Sequence, residues 1–183
     1  MQSATKARCE MSKKLVAAQK TALFGILSAQ ALLLSFLEGL LPSFFPVQGI
    51  KLGLSNIVTM YCVSSPGISY ALAVTLFKAF FALITRGAVA SLLSLSGGLL
   101  SLLGMIVFFR LLPGKLGYVG IGVICALLHN AGQIIVCALL MGKTVFALSP
   151  LLIALSVITG TVTGIALKYT LPLLEKQSMR FLN

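Results

Sequence analysis

The 183-residue chain contains no aspartate, and its only carboxylate side chains are Glu10, Glu38 and Glu175. Chemistry that holds magnesium and diphosphate on clustered carboxylates therefore lacks its ligands. Histidine is equally scarce. His129 stands alone, Glu10 and Glu175 lie in the flanks, and no metal site is expected. The four cysteines, Cys9, Cys62, Cys125 and Cys137, show neither CxxC nor paired Cys/His spacing, and three of them fall inside apolar runs, where free buried thiols are ordinary. A GxxxxGK[ST] loop is also missing, so any ATP hydrolysis must come from another chain. No catalytic residue and no cofactor is expected.

Charge is sparse too. Charged residues make up 9% of the chain and hydrophobic ones 58%, with a mean hydropathy of +1.07, against roughly 25% charged in a soluble domain. A net charge of +11 invites a nucleic-acid reading, but the fourteen cations are scattered among apolar segments and build no continuous basic face, so nucleic acid is not an expected partner. A crossing helix needs about 20 apolar residues, which leaves room for about six crossings. The composition predicts an all-α integral membrane protein, a compact bundle of six transmembrane helices in contact with membrane lipid.

The basic start followed by an apolar run resembles a signal peptide. However, Thr21 to Leu37 is longer than a usual signal core, and Glu38, Pro42 and Pro46 stand where a cleavage site belongs, so a retained helix is expected. The reading along the chain is a basic segment over 1–20, a membrane domain over 21–170 and a tail over 171–183. Within the domain, crossings are expected over about 21–41, 48–65, 68–86, 89–112, 118–141 and 146–169, separated by Pro and Gly signals. With the N-terminus in the cytoplasm, the inside holds Lys6, Arg8, Lys13, Lys14, Lys20, Arg110, Lys115, Lys168, Lys176 and Arg180, and the outside only Arg86 and Lys143. That ten-to-two bias predicts both termini on the cytoplasmic side of a multi-pass protein.

Helices in lipid associate through small residues that let backbones approach. Ala17, Thr21, Gly25 and Ala29 recur every four residues in the first crossing, with Ala18 and Ala22 beside them. Ser91, Ser94, Gly98 and Ser101 share a face of the fourth, and Ser156, Gly160 and Gly164 one of the sixth. Packing within the chain is the ordinary use of each stripe. The first differs because it abuts the cytoplasmic end, where another subunit has access.

Lys78 lies midway along TLFKAFFAL, and a central lysine costs about 2.5–3.5 kcal/mol on insertion scales. Ala71, Thr75, Lys78, Ala82 and Thr85 form one small or polar stripe. Two readings stand: Lys78 faces a cavity, or its amine snorkels or pairs structurally. In LLHNAGQII, His129, Asn130 and Gln133 fall within about 100° of arc, which suggests a lined site. In GIKLGLSN, Gly49, Gly53 and Asn56 share a helical face while Lys51 points about 140° from Asn56. Lys51 either snorkels from a helix already formed or belongs to irregular backbone over the mouth, where it and Glu38 face a ligand.

Three stretches in this order, LEGLLPSFFPVQGIKLGLSNIVT, SLSGGLLSLLGM and LLHNAGQIIV, resemble the Gx transporter family, also labelled heptaprenyl diphosphate synthase component I. That family is similar to the substrate-binding S components of energy-coupling factor (ECF) transporters. The resemblance implies six helices, an outward pocket capped by the loop after the first helix, and docking through a small-residue patch onto a transmembrane coupling subunit with two cytoplasmic ATPase subunits. Carried over, the patch is Ala18 and Ala22, or Gly25 and Ala29, and the loop is Glu38 through Lys51. The pocket includes Asn56, Lys78, His129, Asn130 and Gln133 on the strength of the polar-face argument above. The implied function is substrate binding in an ABC importer of the bacterial cytoplasmic membrane, for a small vitamin-like or anionic nutrient. The synthase label fits poorly, because prenyl elongation relies on aspartate-rich motifs and this chain has no aspartate. A second reading is a non-transporting scaffold in quinone or isoprenoid metabolism or extracellular electron transfer. A third, a self-sufficient secondary transporter, finds no inverted pair of broken helices to support it.

Overall fold

The computed structural model describes the backbone of residues 2–40 and 53–182 and the side chains of residues 15–39 and 53–172. Among these residues are six α-helices: α1 (Gln2–Leu40), α2 (Asn56–Ser64), α3 (Ile68–Arg86), α4 (Ala88–Ile106), α5 (Tyr118–Met141) and α6 (Ser149–Leu182). A π-helical turn, Val107–Leu111, closes α4, and a 3-10 turn, Lys143–Leu148, leads into α6. Among the described residues there is no strand.

Five of these helices have the length and apolar composition to cross a membrane. Their outer surfaces are apolar, with Leu139 80% and Ile84 70% exposed, while Ser35, Glu38, Thr75, Lys78, Ser101 and Gln133 are buried inside. Such an arrangement suits a hydrocarbon solvent, in which leucine outside costs nothing and polar groups need partners inside. The protein is a multi-pass membrane protein by this pattern.

The second helix departs from expectation. A crossing over about 48–65 is predicted, but among the described residues α2 begins only at Asn56 and spans nine residues, about 13 Å at 1.5 Å per residue. That is less than half of a hydrocarbon core of about 30 Å. Asn56, Val58, Thr59, Met60, Tyr61, Cys62 and Val63 are all buried, since α2 is wedged among α1, α3, α4 and α6. A helix apolar nearly all round is a core helix as readily as a spanning one. By contrast, α3 and α5 keep the predicted bounds of 68–86 and 118–141.

Small residues set the spacing. A methyl on Gly160 or Gly164 would collide with the backbone of α5 at Val123 or Val119, and one on Gly122 with the carbonyl of Gly160. Gly98 meets Thr75 of α3, where an added Cβ would sit 2.7 Å from Cγ2, and Gly132 meets the Ser96 carbonyl at 2.7 Å. The stripes of the fourth and sixth crossings are thus consumed inside the bundle. α5 lies centrally, with α4 on one side and α6 on the other, and α3 packs on α4. Gly87 alone joins α3 to α4; its φ of +88° permits a one-residue reversal that a side chain would resist.

α1 joins this core through one stripe only. Leu27, Ser28, Ala31, Ser35 and Glu38 are buried against α3 and α2, whereas Ala18, Ala22, Gly25 and Ala29 are exposed.

Candidate functional site

The buried end of α1, the start of α2 and the middle of α3 and α5 converge on a polar cluster. Lys78 is 3% exposed, so its amine does not snorkel outward; Nζ donates to Asn56 Oδ1 across 3.1 Å. An ammonium can only donate, which fixes the Asn56 amide with its oxygen toward Lys78. Asn56 Nδ2 is then a buried donor with no hydrogen-bond partner among the described residues.

Gly53 is the hinge of this arrangement. Its φ of +87° turns the chain into α2, and the Asn56 N–H donates to its carbonyl at 2.9 Å. A Cβ at Gly53 would lie 3.0 Å from Asn56 Nδ2 and 3.3 Å from His129 Cδ2, so the missing side chain is what lets α2 and α5 bring their polar groups together. Gly53 is buried but precedes the helix, which corrects the expectation of a shared helical face with Asn56.

His129 and Gln133, four residues apart on α5, share one side, with Nε2 to Nε2 at 3.1 Å. The imidazole lies against α4 at Gly97, where an added Cβ would approach the ring's Cε1 and Nδ1 to 3.0 Å. The Glu38 carboxylate accepts the Leu54 N–H, closing the end of α1 over the turn before α2. It is within electrostatic reach of Lys78 and of Arg86.

Asn130 does not join them. Its Nδ2 donates to Ser156 Oγ at 2.6 Å and lies 3.4 Å from the Leu152 carbonyl, both on α6. Consecutive helical residues point about 100° apart, and on a helix packed between two neighbours that is enough to send His129 toward α4 and Asn130 toward α6. The predicted trio is therefore a pair plus a separate residue. Of the stripe expected on α3, Ala71, Thr75, Lys78 and Ala82 are buried, while Thr85 is exposed and donates to the Phe81 carbonyl. Of the loop expected over Glu38 through Lys51, residues 41–51, Lys51 among them, lie outside the described residues.

Arg86, a flank charge in the sequence, is a neighbour of the cluster. Its guanidinium lies against Gly39, 3.5 Å from where a Cβ there would be, and borders a small cavity of about 120 Å³ with Phe36, Phe81 and Thr85. The usable signal was the position of Glu38 and Arg86, each at the same end of its predicted crossing. A larger cavity, about 340 Å³, opens between α5 and α6.

The sequence model of one family, described as heptaprenyl diphosphate synthase component I, matches residues 27–170. The chain belongs to that family. Glu38, Asn56, Lys78, His129 and Gln133 all fall within the matched residues 27–170. No curated protein and no solved structure matches the chain.

Proposed function

We propose that this protein is the substrate-binding membrane subunit, the S component, of an ECF-type ABC importer that takes up a small vitamin-like or anionic nutrient or precursor. The observation that carries the reading is the Asn56 Nδ2 donor, buried beside the Lys78 ammonium and lacking an acceptor among the described residues. Two donors converging in a low-dielectric interior favour a ligand that brings acceptor oxygens. Among the described residues, Lys78 and Arg86 against Glu38 leave the region one positive charge in excess, which favours a monoanion over a cation. The cluster lies where α1 ends and α2 begins, so parting these two ends admits the ligand from the outer side.

The exposed face of α1 supports the partner side of the reading. Nothing lies within 4 Å of a Cβ added at Gly25, and Ala18, Ala22 and Ala29 are exposed with it, whereas the comparable stripes on α4 and α6 are filled by the chain itself. That face is the docking surface for a transmembrane coupling subunit bearing two ATPase subunits, in the bacterial cytoplasmic membrane with both termini inside. The protein itself catalyses no reaction. Mild-detergent purification followed by mass spectrometry of extracted small molecules and co-purified chains tests all of this together. An acceptor-bearing small molecule and a coupling subunit are expected; an empty protein that joins no such subunit would overturn the reading.

A further inference from the structure

The cavity between α5 and α6 belongs to neither the polar cluster nor the α1 face. The two helices are drawn together at Gly122, Gly160 and Gly164, and toward the Gly142 end a groove of about 340 Å³ opens between Leu127 and Ile135 on one side and Ser149 and Ser156 on the other. The seven helical steps from Ser149 to Ser156 make it about 10 Å long. Its volume is within the range of about 300–1,000 Å³ common to small-molecule sites. Ile135, Ile153 and Phe146, which border it, are at least half exposed on the apolar outer surface, so it opens sideways into the bilayer.

Asn130 lines this groove and is 3% exposed. Ser156 Oγ donates its proton to the Leu152 carbonyl at 2.6 Å and must therefore accept from Asn130. That fixes Nδ2 toward α6 and leaves Oδ1 as a buried acceptor with no hydrogen-bond partner among the described residues. Among the described residues no charged side chain borders the groove, which disfavours an ionic occupant. A carboxylate or ether would bring a second acceptor to the first.

We propose that the groove between α5 and α6 binds a lipophilic molecule from the bilayer that carries one hydroxyl or N–H, whose donor meets Asn130 Oδ1. This site is independent of the importer reading, since Asn130 faces α6 and the Lys78 cluster does not.

Photolabelling of the protein in lipid nanodiscs with a diazirine-bearing octanol, and separately with its methyl ether, tests it by peptide mass spectrometry. The alcohol is expected to label the segments around Ile135 and Ile153 about five- to tenfold more than the ether, the factor one hydrogen bond supplies. Around the lipid-facing Ile165 the two probes should label alike. Asn130→Leu should bring the alcohol down to the ether's level while ether labelling persists, which also reports an intact groove. Ile153→Trp, a change at the exposed lip, should lower both. Equal labelling by the two probes in the unaltered protein, a preference that survives Asn130→Leu, or labelling indifferent to Ile153→Trp would each overturn the proposal.

Discussion

Lys78 Nζ and Asn56 Oδ1 meet across 3.1 Å, tying the middle of α3 to the first turn of α2 inside an apolar-coated bundle. A hydrogen bond to a charged group contributes about 1.5–3 kcal/mol, and its loss strands a buried ammonium. Asn56→Leu is therefore expected to destabilise the protein by about 2 kcal/mol. Lys78→Met, which leaves only an amide oxygen unpaired, should cost less. The double variant should fall short of the sum by about 1 kcal/mol or more, because the two residues act as one unit. Unfolding in detergent, followed for all four proteins, measures the coupling.

Ligand retention separates the binding role of these groups from their structural one. Asn56→Asp keeps an oxygen for Lys78 but replaces the Nδ2 donor with a second carboxylate oxygen. If an anionic or acceptor-rich molecule is held there, the amount that co-purifies should drop at least tenfold, about 1.4 kcal/mol, while the unfolding midpoint changes little. Retention at the original level would remove Asn56 from the binding site.

The glycines make opposite forecasts according to their surroundings. Gly160→Ala places a methyl against the α5 backbone at Val123 and should destabilise by about 1–3 kcal/mol. Gly25→Ala meets open space on an exposed helical face and should be neutral or stabilising by up to about 1 kcal/mol. The same unfolding assay ranks them, and an equal loss at both positions would contradict the packing described.

How much of this was readable beforehand depends on which signal each feature carried. α3 and α5 end where predicted because Gly67, Gly87, Gly117 and Gly142 bound their apolar runs. α2 did not, because an apolar run from Leu52 to Val63 looks alike whether it crosses a bilayer or is wedged in a core; hydropathy reports transfer to an apolar medium, not which medium. Lys78 and Asn56 were both recognisable as buried polar residues, yet their partnership joins positions 22 apart and needs the tertiary fold. A helical wheel places Asn130 with His129 and Gln133 because it measures arc on one helix and carries no information about α4 and α6 on either side of it. In the sequence Arg86 is an orientation marker, which its position at a helix end also fits; its contact with Gly39 appears only once α1 is laid on α3.

The α1 face yields the prediction that most directly separates transport from ligand binding. Ala22 and Gly25 are exposed and lie on the side of α1 away from its buried stripe of Leu27, Ser28, Ala31 and Ser35. Membrane helices that associate through small residues depend on close backbone approach, so one bulky side chain abolishes the contact without touching either partner's interior. Gly25→Trp is expected to leave the unfolding midpoint and the co-purified small molecule unchanged while eliminating recovery of the coupling subunit and uptake into cells. A matched Ile158→Trp, also on an exposed face but on α6, should leave recovery and uptake intact. If Gly25→Trp retains the coupling subunit, α1 is a lipid-facing helix and docking, if it occurs, uses another surface; if Gly25→Trp loses the small molecule as well, the face and the polar cluster are one structural unit rather than two separable sites.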